Sequence, residues 1–78
     1  MSSETPKEVR QKLIRILDAR VHDAELMRLQ AEADKNDTDS NHFYSARNAY
    51  IDALWLVAKA ILPPDEFEAF RAEKERGR

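Results

Sequence analysis

The sequence predicts an all-α fold: an antiparallel helical hairpin with a short C-terminal third helix or tail, in a single domain over residues 1–78. The composition is 42% hydrophobic and 36% charged, with one Gly and three Pro, which is typical of long helices. Two long segments repeat apolar residues with a helical period, and a short polar segment separates them. The predicted boundaries are helix 1 at about 6–35, a turn at 36–39, helix 2 at about 40–62, and a short helix or tail at 64–78.

Helix 1 is predicted from its start signal and from an apolar stripe. Thr5 takes the N-cap position, Pro6 the first helical position and Glu8 the third position of a capping box. Successive helical residues are about 100° apart, so one arc of about 100° collects most of the apolar side chains. We expect this stripe to face the core, with Ile14 and Val21 at its edge. Its members are Val9, Leu13, Ile16, Leu17, Ala24, Met27 and Ala31.

The predicted turn lies in the polar segment "DKNDTDSN", which has no apolar periodicity. Asn36 is the candidate for a left-handed conformation, in the absence of a glycine. Thr38, Asp39 and Ser40 are all suitable N-caps for helix 2, and the sequence does not choose among them. Because the connection is short, the two helices should be antiparallel neighbours.

Helix 2 ends before Pro63-Pro64 and carries two apolar stripes, offset by roughly 90°. The first stripe contains Phe43, Tyr50, Leu54, Val57 and Ile61. The second contains Ala46, Ala49, Ala53 and Ala60. One partner helix cannot cover both, so we expect a homodimer in which two hairpins form a four-helix bundle. The predicted dimer interface consists of Ala46, Ala49, Ala53, Leu56 and Ala60.

The C-terminal segment can restart as a short helix at Pro64. Phe67 and Phe70 are three residues apart, share one face of that helix and should fold back onto the end of the bundle. After Ala72 the chain is "EKERGR", which we expect to be frayed.

Several functional classes are disfavoured by composition. The chain has no cysteine, so disulfides and thiolate metal sites are excluded. With 13 basic and 15 acidic residues, the net charge of −2 argues against binding nucleic acid by bulk charge alone. The first ten residues contain no apolar signal region, and the longest uncharged run, "ALWLVA", is far shorter than the roughly 20 residues of a membrane span. We therefore expect a soluble, cytoplasmic protein that does not bind membranes.

No catalytic residue, cofactor or metal site is predicted. The two histidines, His22 and His42, do not form the paired Glu-x-x-His motifs of di-metal helical bundles. Arg20 and Arg47 lie within the apolar stripes, where each could stack on a ring or pair with a carboxylate across the bundle. The other interpretation is a small all-helical enzyme in which these arginines line an anion pocket inside the bundle, for a small carboxylate metabolite. The chain resembles all-helical chorismate mutases in its helix content and its arginines. Those enzymes hold a dicarboxylate substrate with arginines. No motif of that family aligns with this chain.

The far side of helix 1 carries a candidate partner-binding surface. Leu26 and Leu29 project there, on the same side as Lys12 and Arg15. An apolar patch with basic residues at its rim suits another macromolecule. The leading hypothesis is therefore a small non-enzymatic regulator or adaptor that binds a partner protein of unknown identity.

Nucleic-acid binding is the alternative. Lys7 and Arg10 join Lys12 and Arg15 to make one end of helix 1 basic. In outline this is similar to the small plasmid copy-control proteins, which are dimeric four-helix bundles that grip paired RNA loops with one helical face. The acidic middle of helix 1 works against a continuous basic track.

Overall fold

The computed structural model describes residues 4–76, and these form three helices. They are α1 (Pro6–Ala33), α2 (Asp37–Ile61) and α3 (Pro64–Arg76). The all-α prediction is confirmed, with α1 and α2 packed as an antiparallel hairpin and the short α3 attached loosely to it. The start of α1 is also as predicted: Thr5 is the N-cap, and its hydroxyl oxygen accepts a hydrogen bond from the Glu8 N–H at 3.2 Å.

The turn differs in detail from the prediction. Lys35, rather than Asn36, has the left-handed conformation, with φ of 57°. The Lys35 N–H donates to Glu32 O at 3.0 Å and the Asn36 N–H to Ala31 O at 2.9 Å, which is the Schellman pattern of a helix C-terminus. Asn36 is then the N-cap of α2, in place of Thr38, Asp39 or Ser40, because its side chain accepts from the Asp39 N–H at 3.1 Å. Helix α2 therefore starts three residues earlier than predicted.

The core of the hairpin uses Leu17, Ala24 and Ala31 of the predicted α1 stripe, together with Ile14 and Val21 from its edge. Ile14, Ala24 and Ala31 are buried, and Leu17 and Val21 pack beside them. On α2 the most buried apolar side chains are Leu54 and Ala58, which are 2% and 0% exposed. Four members of the predicted stripe are instead 42–49% exposed, and these are Val9, Leu13, Ile16 and Met27. The prediction was wrong for these four because α1 carries two apolar rows offset by one residue, and α2 can cover only one of them.

Helix α3 folds back onto one side of the hairpin, as predicted for Phe67 and Phe70. The centre of the Trp55 ring lies 6.2 Å from the centre of the Phe67 ring and 5.0 Å from that of the Phe70 ring, and both contacts are edge to face. The helix continues to Arg76, beyond the expected fraying point at Ala72. Gly77 and Arg78, the end of the predicted tail, lie outside the described residues.

Ion pairs connect both ends of α3 to α1. Arg10 Nη2 donates to Glu66 Oε2 at 2.6 Å, and Lys74 Nζ donates to Asp18 Oδ1 at 2.7 Å. Lys74 also lies 5.7 Å from the centre of the Phe70 ring. These contacts place α3 over one groove between α1 and α2 and leave the opposite groove open.

Candidate interaction surfaces

The side of the hairpin opposite α3 carries two rows of apolar side chains with Arg20 and Asp23 among them, and we call this surface the open face. Its α1 half is a row at helical spacing: Val9, Leu13, Ile16, Arg20, Asp23 and Met27. Its α2 half is the corresponding row: Phe43, Ala46, Tyr50, Ala53 and Val57. The two rows meet in a groove, where Arg20, Asp23 and Met27 of α1 approach Phe43, Ala46 and Tyr50 of α2.

Four large apolar side chains of the open face are about half exposed. Leu13 is 45% exposed, Ile16 49%, Met27 47% and Tyr50 39%. Fully burying a side chain of this size is worth about 1.5–3 kcal/mol, so each of these groups leaves roughly half of that unrealised. A contiguous patch of this kind is a mark of an interaction surface.

The predicted dimer residues fall into two groups. Ala46 and Ala53 are half-buried on the open face, and Ala60 is exposed about two turns beyond Ala53 along the same row. Ala49 and Leu56 instead point away from the open face, on the outer side of α2. Leu56 is 71% exposed and lies in a shallow hollow with Trp55 and Phe67, as well as Asp52 and Lys59.

The predicted partner residues lie together on a third surface, which we call the outer row of α1. It contains Lys12, Arg15, Ala19, His22, Leu26 and Leu29, all of which are exposed. Leu26 is 52% exposed and Leu29 48%. Lys12 pairs with Glu4 at 3.4 Å. The outer row and the open face occupy different sides of α1, so a partner on one leaves the other accessible.

The two candidate anion-binding arginines line opposite grooves. Arg20 is exposed on the open face, whereas Arg47 is half-buried on the side of α3. Arg47 Nη1 pairs with Glu25 Oε2 at 3.0 Å, and its guanidinium lies 5.0 Å from the centre of the Tyr44 ring. Within residues 4–76, its Nε atom is buried and has no hydrogen-bond partner.

Glu25 is the centre of a charged cluster that joins the two helices. It accepts hydrogen bonds from Arg28 on its own helix and pairs with Arg47 across the groove. The hydrogen bonds from Arg28 hold the pKa of Glu25 below its usual value, and Arg47 lowers it further. The Glu25 carboxylate therefore engages Nη1 of Arg47 within one chain, whereas Nε of the same guanidinium has no hydrogen-bond partner among residues 4–76.

The side chains that carry the open face were not all identified from the sequence. The available signal was the row Ile14, Leu17, Val21, Ala24 and Ala31, whose spacings of three, four, three and seven residues follow one helix seam, with Arg28 at the skipped position. Assigning that row to the core would have left the neighbouring row, with Leu13 and Ile16, for another contact.

Residues 4–76 contain no group of three or more His, Cys, Asp or Glu side chains placed to hold a metal ion. In the same residues no helix combines the length and the apolar character that crossing a bilayer requires.

The arrangement is thus a three-helix all-α protein whose hairpin has one side closed by α3 and one side open. No family model, curated protein or solved structure matches the chain.

Proposed function

We propose that the protein is a non-enzymatic helical module that self-associates through its open face and binds a partner protein through the outer row of α1, acting as a regulator or adaptor. The observation that carries this proposal is the position of α3, which covers one groove of the hairpin while leaving Leu13, Ile16 and Met27 half-exposed on the other. Two hairpins joined by their open faces would form a four-helix bundle with α3 on the outside of each half.

A dimer would supply the burial that one chain lacks. A chain of 78 residues has a small core, and oligomerisation is one of the few means of enlarging it without cysteines. Placing α3 on the far side keeps it clear of the second copy. The outer row would then be present twice in the dimer, as two identical surfaces for a partner.

The outer row favours a protein over a nucleic acid as the partner. Its Leu26 and Leu29 offer apolar contacts, and the basic end of α1 is partly neutralised, since Arg10 pairs with Glu66 and Lys12 with Glu4. Nucleic-acid binding needs basic groups free to reach several phosphates.

The solution mass tests self-association, measured by light scattering over a dilution series. The variants are Leu13→Glu on the open face and Leu26→Glu on the outer row, which place the same charge on similarly exposed leucines of one helix. We expect a dimer for the wild type and for Leu26→Glu, and a monomer for Leu13→Glu. A wild type that is monomeric at every concentration, or a dimer that survives Leu13→Glu, would refute the assignment.

The partner surface is tested separately by affinity capture with the same two variants. A protein retained by the wild type should be lost with Leu26→Glu and kept with Leu13→Glu. Retained material that is nucleic acid, with affinity falling steeply as salt is raised, would favour the nucleic-acid alternative.

A further inference from the structure

We infer that the second copy binds the open face about a two-fold axis perpendicular to the helices, so that Arg20 of each chain pairs with Asp23 of the partner subunit. This inference rests on the proposed self-association and specifies its geometry. In such a dimer α1 lies antiparallel to α1 of the partner, and α2 antiparallel to α2 of the partner. Each row of the open face then packs against the same row of the partner running in the opposite direction. Residues at equal distances on either side of the axis must therefore be complementary.

The stretch of the α1 row from Ile16 to Met27 meets this requirement when the axis crosses midway between Arg20 and Asp23, while Leu13 and Val9 lie opposite Gln30 and Asp34. Reversal about that point places Arg20 opposite Asp23 and Ile16 opposite Met27, so opposite charges meet and apolar side chains meet. Both charged side chains are exposed, and neither has an ion-pair partner within 4.0 Å among residues 4–76 of a single chain.

The stretch of the α2 row from Phe43 to Ala53 meets the same requirement when the axis crosses at the level of Asn48, while Val57 lies opposite Asp39. Reversal about that level places Phe43 opposite Ala53 and Tyr50 opposite Ala46. Each aromatic ring would face a methyl group, and alternation of large and small side chains is what close packing across an interface needs.

The two crossing points lie at the same height in the hairpin, so one axis serves both helices. Around the α1 point, Arg20 and Met27 line the groove together with Phe43 and Tyr50 of α2. The point between Arg20 and Asp23 therefore faces the stretch of α2 between Ala46 and Tyr50, whose centre is Asn48.

The surface is also large enough for a specific dimer. From Val9 to Met27 the row is about 27 Å long, at 1.5 Å per residue. With two helices each about 10 Å across, the footprint is about 500 Å² on each chain, or about 1,000 Å² in total. That total is close to the lower limit for a specific interface, so the dimer should dissociate on dilution and should respond measurably to single charges.

The decisive experiment mixes two charge-reversal variants, Arg20→Glu and Asp23→Arg. In either homodimer the proposed pair becomes a like-charge contact, twice per dimer, so we expect dimer dissociation constants raised at least tenfold by sedimentation. In the mixture, one chain presents Glu and Asp at the two positions and the other presents two arginines. Both contacts between the chains are then attractive, and we expect a heterodimer of near wild-type affinity.

The mixture separates contacts between chains from contacts within a chain, because each variant keeps its own altered charge whether alone or mixed. Far-UV circular dichroism of each variant checks that the exposed substitutions leave the helices intact. If the wild type is a dimer but the variants dimerise as well as it does, or the mixture gives no preferred heterodimer, the axis is wrong and the proposed self-association stands. If the wild type is monomeric at every concentration, both proposals fail.

Discussion

The packing of the hairpin makes a sharp prediction for Leu54→Ala. Leu54 is 2% exposed at the centre of the core formed by Ile14, Ala58 and Leu62. The substitution removes three carbon atoms, and at about 0.8 kcal/mol for each buried CH₂ the transfer term alone is roughly 2.4 kcal/mol. A residual cavity raises the loss to about 3 kcal/mol, within the 2–5 kcal/mol typical of buried leucines. The whole domain is expected to have a free energy of unfolding of only about 4–12 kcal/mol.

A matched control lies two residues along the same helix. Leu56 is 71% exposed, so Leu56→Ala should change the free energy of unfolding by less than about 0.5 kcal/mol. Urea unfolding followed by far-UV circular dichroism gives both values. Each variant should be measured at several protein concentrations, because a dimer makes the midpoint depend on concentration.

The comparison can contradict the structure in two ways. Equal losses for the two variants, both below about 1 kcal/mol, would mean that α2 does not pack on α1 through Leu54. A loss above about 2 kcal/mol for Leu56→Ala would mean that the outer side of α2 is buried in solution, as the sequence alone suggested when it placed Leu56 in the dimer interface.

Two further predictions concern the turn and α3. Lys35→Gly should stabilise the protein by about 0.5–1 kcal/mol in thermal unfolding, because φ of 57° disfavours a residue with a Cβ atom; a loss of stability would contradict this. The hydrogen bond from Arg10 lowers the pKa of Glu66, so this carboxylate stabilises the folded chain above its unfolded pKa of about 4.3, and that contribution is lost as the pH falls further. The fluorescence maximum of Trp55, the chain's single tryptophan, should therefore shift to longer wavelength on acidification. The Glu66→Gln variant should already show this shift at neutral pH. Identical titrations for the wild type and the variant would show that the Arg10–Glu66 pair does not hold α3.

The elements that were predicted correctly depend on local chemistry. Thr5 and Pro6 start α1 because the cap and the first turn lie within four residues of each other, and Pro63-Pro64 ends α2 because proline cannot continue a helix. The turn was predicted less well. Asn36 suits both a left-handed position and an N-cap, and only the hydrogen bonds to Ala31 and from Asp39 decide between them.

Local sequence patterns could not decide which apolar face of α1 is buried. α1 presents apolar side chains over two adjacent rows, one with Leu13 and one with Ile14, and both satisfy a helical period. The choice depends on contacts between residues far apart in the chain. Glu25 must meet Arg47 across the groove, and Arg10 must reach Glu66 56 residues later.

The sequence by itself determined the helices, their order, their antiparallel arrangement and the aromatic return of α3, because each follows from patterns within a few turns of chain. The tertiary structure decided which apolar row became core and which stayed open. Leu13 and Ile14 are adjacent residues that differ by about 100° in direction, so a rotation of α1 by about that angle would exchange their roles. In the observed orientation Ile14 packs in the core with Leu54, Glu25 pairs with Arg47, and Leu13, Ile16 and Met27 remain on the open face.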